Sequence, residues 1–210
     1  MAKMELLTQK QLRIIELFRK NPFAEYTIRE IAKKIGNASY SWTYNMANKM
    51  IKENILKSRR TGASIACSIN LDEPMAVAYL SLMEEAAAFS SKVPNHVIER
   101  ILRAVPTPYF TLLVAGSYAK GTQTEKSDID VIVITDEIST QRVMNYVKHE
   151  AELSMPEAHP YVFKKSEFLA MLLDKKENYG KEAFRNRLIF HNPESYYSIL
   201  REAVAHGFRG

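Results

Sequence analysis

A single cysteine, Cys67, among 210 residues excludes an internal disulfide and any cysteine-rich zinc site. No stretch approaches the roughly 18 to 20 uninterrupted apolar residues of a membrane span, and the N-terminal MAKMELLTQKQ lacks the apolar core of a signal peptide. A cytoplasmic protein without a membrane partner is therefore expected. The P-loop is missing too. Gly116 and Gly121 have its separation, but Thr122-Gln123 follow the second glycine where Lys-Ser/Thr is required, and Lys120 precedes it. What is present is the composition of an ordinary globular chain, 46% hydrophobic and 25% charged, with room for one large or two small domains.

The net charge of +5 is unevenly spread. Residues 1–70 hold 13 Lys/Arg against 5 Glu, a balance of +8, whereas residues 71–210 hold 16 against 19, a balance of −3. A basic first third on an acidic remainder suggests that the N-terminal part meets a polyanion.

The stretch around which the rest is organised is LLVAGSYAKGTQTEKSDIDVIVIT, Leu112 to Thr135. Leu112-Leu113-Val114-Ala115 and Val131-Ile132-Val133-Ile134 read as two buried strands. Between them, Gly116-Ser117 marks a strand-to-helix turn that lets backbone N–H groups and a hydroxyl approach an anion. Because strand side chains alternate, Asp128 and Asp130 share one face while Ile129 and Val131 point into the core. Two carboxylates fixed so close repel unless a cation lies between them, and oxygen donors of this kind suit Mg2+. Triphosphate plus Mg2+ would satisfy both halves.

At these residues the chain resembles the nucleotidyltransferase superfamily that includes the kanamycin nucleotidyltransferases, the minimal nucleotidyltransferases and DNA polymerase beta. The matching pattern is Ala115-Gly116-Ser117, ten residues, then Asp128-Ile129-Asp130-Val131. The resemblance implies that Asp128 and Asp130 hold Mg2+ and serve catalysis. It also implies that Gly116 and Ser117, helped by Lys120 and Ser127, grip a nucleoside triphosphate, ATP being the first choice. One element departs from the pattern. The family's third carboxylate sits on the next strand, HPYVFK, and residues 159–164 contain no Asp or Glu. Glu157 is near but precedes that strand, across a Pro, and His159 offers a base of another kind.

The N-terminal third reads as helices over 9–20, 28–35 and 40–53, opened by Thr8 and by the Thr27/Glu30 capping box, then a hairpin ILKSRR-TGAS-IACSIN. In the third helix Tyr44, Ala47, Met50 and Ile51 form the expected buried stripe. Three helices and a two-stranded ribbon resemble a winged helix-turn-helix over residues 1–71. That resemblance implies double-stranded DNA as partner, met by Tyr40, Ser41, Thr43, Asn45, Asn48, Lys49 and Lys52 on the third helix and by Lys57, Arg59 and Arg60 on the wing.

Residues 72–105 read as a helical connector and 106–210 as the nucleotidyltransferase-like domain, with a helix capped by Ser166 and two helices between Glu177 and Ala205 broken at Asn192-Pro193. The expected class is α+β, a winged helix-turn-helix followed by a mixed sheet with flanking helices. Lacking the third acid, the chain reads first as a nucleotide-responsive transcriptional regulator with weak or no transfer activity. The alternative is an active nucleotidyltransferase passing a nucleoside monophosphate to a hydroxyl acceptor. The sequence leaves a homodimer or a separate partner protein open.

Overall fold

The computed structural model describes residues 6–36, 38–62, 64–136 and 139–210. The chain groups into two compact units, Met1–Met83 and Glu84–Gly210. Among the described residues no helix is long and apolar enough to cross a membrane.

The first unit begins with Gln9–Lys20 (α1). Gln11 reaches back to the Thr8 N–H at 2.7 Å and to its hydroxyl at 2.9 Å, while Ile14, Ile15 and Phe18 are buried. Tyr26–Thr27 (β1) leads into Ile28–Lys34 (α2), which starts on the expected capping box. The Glu30 N–H donates to Thr27 Oγ1 at 3.3 Å, and the Glu30 carboxylate accepts the Thr27 N–H at 2.7 Å. Tyr40–Lys52 (α3) is capped by Ser39, and the hairpin Leu56–Thr61 (β2) and Ser64–Ile69 (β3) follows. With β1 they form an antiparallel sheet in the order β1-β3-β2. The two-residue β1 adds a third strand to the expected two-stranded ribbon.

The buried face of α3 differs from the expected stripe. Thr43, Ala47 and Met50 point inward, whereas Tyr44 is exposed and stacks on Tyr40 with 6.1 Å between ring centroids. Thr43 tolerates burial because its hydroxyl donates to the Ser39 carbonyl at 3.0 Å, one turn back, which leaves its methyl group for the core.

Pro74–Phe89 (α4) contains the boundary between the units, and Asn95–Ala104 (α5) lies wholly in the second. The second unit is built on Phe110–Val114 (β4), Ile129–Thr135 (β5), Ala158–Lys164 (β6) and Leu188–His191 (β7), in the order β6-β5-β4-β7. Strand β4 runs antiparallel to β5 and β7, and β5 runs parallel to β6 through the crossover helix Thr140–Glu152 (α7). Ile129, Val131 and Val133 share one apolar core with Val97, Ile98 and Ile101 of α5 and with Val143, Val147 and Ala151 of α7. On the opposite face, Lys165–Leu173 (α8) packs on β5 and β6, and Pro193–Ala205 (α10) on β4. By strand alternation Asp128 and Asp130 belong to this second face.

Two local expectations are corrected here. Helix α8 starts at Lys165, with the Glu167 carboxylate accepting the Lys164 N–H at 2.8 Å, so Ser166 lies inside the first turn. The stretch expected to be two helices holds a short helix, Tyr179–Arg185 (α9), and then β7, before α10. At the start of β7 the buried Arg187 donates to Glu84 Oε1 at 2.8 Å, and the Tyr197 hydroxyl donates to the same oxygen at 2.8 Å. A charged pair out of water holds only with partners of this kind.

Candidate functional site

Strand β4 ends at Val114, and the Ala115 N–H donates to the Asp130 carbonyl at 2.9 Å, fixing the next residue against β5. Gly116 then turns the chain with φ +64°. A Cβ at this position would lie 2.0 Å from Asp130 Oδ2, so only glycine permits this approach of backbone and carboxylate. The short helix Gly116–Lys120 (α6) follows, and its Ser117 hydroxyl is half-buried with no hydrogen bond to any described residue. Ser127 is engaged in the loop before β5, where its hydroxyl accepts the Thr124 N–H at 2.9 Å.

Across the sheet, the Ile129 N–H donates to the Glu157 carbonyl at 2.9 Å, and Asp130 stands in register with His159. This parallel pairing brings Glu157 and His159 beside Asp128. His159 Nε2 is 3.8 Å from Asp128 Oδ2 and 3.9 Å from Glu157 Oε1, and one donor atom from each of the three lies within 4.8 Å of the others. All three are exposed, whereas Asp130 is half-buried. Burial holds the Asp130 carboxyl above the usual range, His159 opposes that, and the charges of Asp128 and Glu182 add to it.

The far side of the turn is closed by α9. Lys120 Nζ pairs with Glu182 Oε1 at 2.7 Å, so this lysine is tied to a neighbour that the sequence did not single out. The Tyr179 ring packs on Tyr161 of β6 at 4.6 Å, and its hydroxyl is pushed far up in pKa by burial, with Asp130, Tyr161 and Glu182 adding to the shift. Tyr179 and Glu182 carry no local sequence signal. They reach the site only through the docking of α9, more than 40 residues after Asp130.

Within the second unit, residues 98–206, just over half of the chain, match the family model described as nucleotidyltransferase domain. The chain belongs to this family. No curated protein and no solved structure matches the chain. The nucleotidyltransferase family typically employs a nucleoside triphosphate with Mg2+, and the residues present fit such an ion. The donor atoms that lie close enough to share an ion belong to Asp128, Glu157 and His159, two of them hard carboxylate oxygens, and a cation there would also relieve the like charges around the neighbouring Asp130.

The basic residues of the first unit form a separate set. Tyr40, Ser41, Asn45 and Lys52 are exposed on α3, and Asn48 and Lys49 are half-buried. Thr43 is withdrawn into the core and is removed from this set. A shallow hollow on this helix is lined by Tyr44, Asn45, Asn48, Lys49, Lys52 and Glu53. On the hairpin, Lys57 pairs with Asp72 at 2.8 Å and Arg59 pairs with Glu25. Arg60 is exposed and makes no ion pair with any described residue.

Proposed function

We propose that the second unit transfers a nucleoside monophosphate from a nucleoside triphosphate to an acceptor hydroxyl, and that the first unit binds duplex DNA in the manner of a winged helix. The observation that carries the transfer reading is the gathering of Glu157 and His159 beside Asp128 and Asp130 on one sheet face of a nucleotidyltransferase domain. Strand β6 itself has no acid beyond residue 158, yet Glu157, whose carbonyl is already paired to β5, offers the missing carboxylate.

Asp128, Asp130 and Glu157 would hold Mg2+, which when bound neutralises charge developing on the phosphates. The Gly116 backbone and the Ser117 hydroxyl grip phosphate oxygens. His159 Nε2 accepts the proton of the acceptor hydroxyl as that oxygen bonds to the α-phosphorus. The bond from the α-phosphorus to its bridging oxygen breaks, and pyrophosphate leaves with the electron pair.

The test uses nucleoside triphosphates labelled at the α-phosphate, incubated with Mg2+ or Mn2+ and a panel of protein, nucleic-acid and small hydroxyl acceptors. Label should pass to an acceptor, and Asp128→Asn should lower the rate by about a hundredfold or more. Silence with every acceptor, while nucleotide still binds, favours the second reading, a nucleotide-responsive DNA-binding regulator. That reading draws its support from the exposed polar residues and Lys52 on α3 and from the exposed Lys57, Arg59 and Arg60 of the hairpin.

A further inference from the structure

The Tyr179 hydroxyl is buried and has no hydrogen-bond partner among the described residues. Buried polar groups are nearly always paired, and an orphan calls for an explanation, a bound water, ion or ligand among them. The residue cannot easily turn away. Asn178 caps α9 by accepting the Lys181 N–H at 3.1 Å and donates to the Met171 carbonyl of α8 at 2.8 Å. On the other side, a Cβ on Gly180 would come within 2.7 Å of the Met171 side chain, so the start of α9 is seated directly on α8.

The ring direction follows from the sheet. Tyr161 lies two residues after His159 on β6 and so on the same face, and His159 is in register with Asp130. Because Tyr179 packs on Tyr161, it lies on the face that carries the two aspartates. Burial, with the negative charge of Asp130 and Glu182 nearby, keeps the phenol protonated and therefore a donor. A donor that lacks an acceptor among the described residues, on the face that carries Asp130, is open to an oxygen acceptor from a ligand.

Resting on the transferase reading above, we propose that the Tyr179 hydroxyl donates a hydrogen bond to a phosphate oxygen of the bound nucleoside triphosphate. Helix α9 is then a wall of the nucleotide site.

The experiment compares the full-length parent with Tyr179→Phe, which keeps the ring and removes the hydroxyl. Calorimetry with Mg2+ and each of ATP, GTP, CTP and UTP should show affinity for the preferred nucleotide weakened about tenfold or more. Thermal unfolding without nucleotide should show the variant melting about 2 °C higher, because an unpaired buried group has been removed. Equal nucleotide affinity in both proteins would overturn the Tyr179 contact and leave the transferase reading standing. Weaker binding together with a lower melting temperature would assign the hydroxyl a packing role and overturn the contact as well. Failure of the parent to bind any of the four nucleotides would overturn the transferase reading and this inference together.

Discussion

Asp130 is placed where a carboxylate is least comfortable. It is half-buried, faces Asp128 and has Glu182 nearby, and the backbone of Gly116 approaches it more closely than any side chain would allow. Its folded pKa is raised, so the folded protein binds this proton more tightly than the unfolded chain does. The stability this contributes is fully present below the ordinary aspartate range, near about 4, and is lost as pH rises through the raised value. Asp130→Asn removes that loss. The variant freed of metal by a chelator should therefore unfold at a higher temperature than the parent at pH 7, with the gap closing as pH falls toward about 4. Melting curves taken across that range check it, and a variant no more stable than the parent at neutral pH would mean the site carries no such charge conflict. Added Mg2+ should raise the melting temperature of the parent and leave the variant nearly unchanged.

At the scale of elements, the β2–β3 hairpin carries the clearest test of the first unit. Two of its basic residues are held by exposed carboxylates, Lys57 by Asp72 and Arg59 by Glu25, and pairs of this kind are weak enough for a phosphate to displace. Replacing Arg59 and Arg60 together by Ala should flatten the slope of log DNA affinity against log salt by up to roughly two units, measured by mobility shift at several salt concentrations. An unchanged slope would remove the hairpin from the DNA contact.

Elements differ in how far the sequence reveals them. Strands β4 and β5 announce themselves as unbroken apolar runs ending at Gly116 and beginning after Asp130, and α2 announces itself through the Thr27/Glu30 box. Strand β7 does not. Its four residues, Leu188–His191, gain strand geometry by pairing with β4, whose residues, such as Val114 opposite Leu188, lie far back in the chain, and by the burial of Arg187 against the still more distant Glu84. The face of α3 departs from its hydrophobic pattern for a related reason: an aromatic Tyr44 outranks Thr43 on any such pattern, yet the Ser39 carbonyl satisfies the threonine and releases it to the core. In the site, the Gly-Ser turn and the aspartate pair follow from local spacing. Glu157 lies one residue before its strand, so only the parallel pairing of β5 with β6 brings it beside Asp128.

For the molecule as a whole, charge and chemistry are divided between the units. The +8 balance lies within residues 1–70, and the nucleotidyltransferase match lies within residues 98–206. Such a division suits a domain that finds a polyanion joined to one that handles a nucleotide, and it leaves the nucleotide site as the claim on which the functional reading depends. The most direct measurement is a crystal structure of the full chain grown with Mg2+ and the α,β-methylene analogue of its preferred nucleoside triphosphate. We predict a metal ion held by the Asp128 and Asp130 carboxylates and phosphate oxygens at the Gly116 backbone and the Ser117 hydroxyl. Nucleotide bound elsewhere, or both aspartates without metal at saturating ligand, would contradict the assignment of this face as the site of transfer.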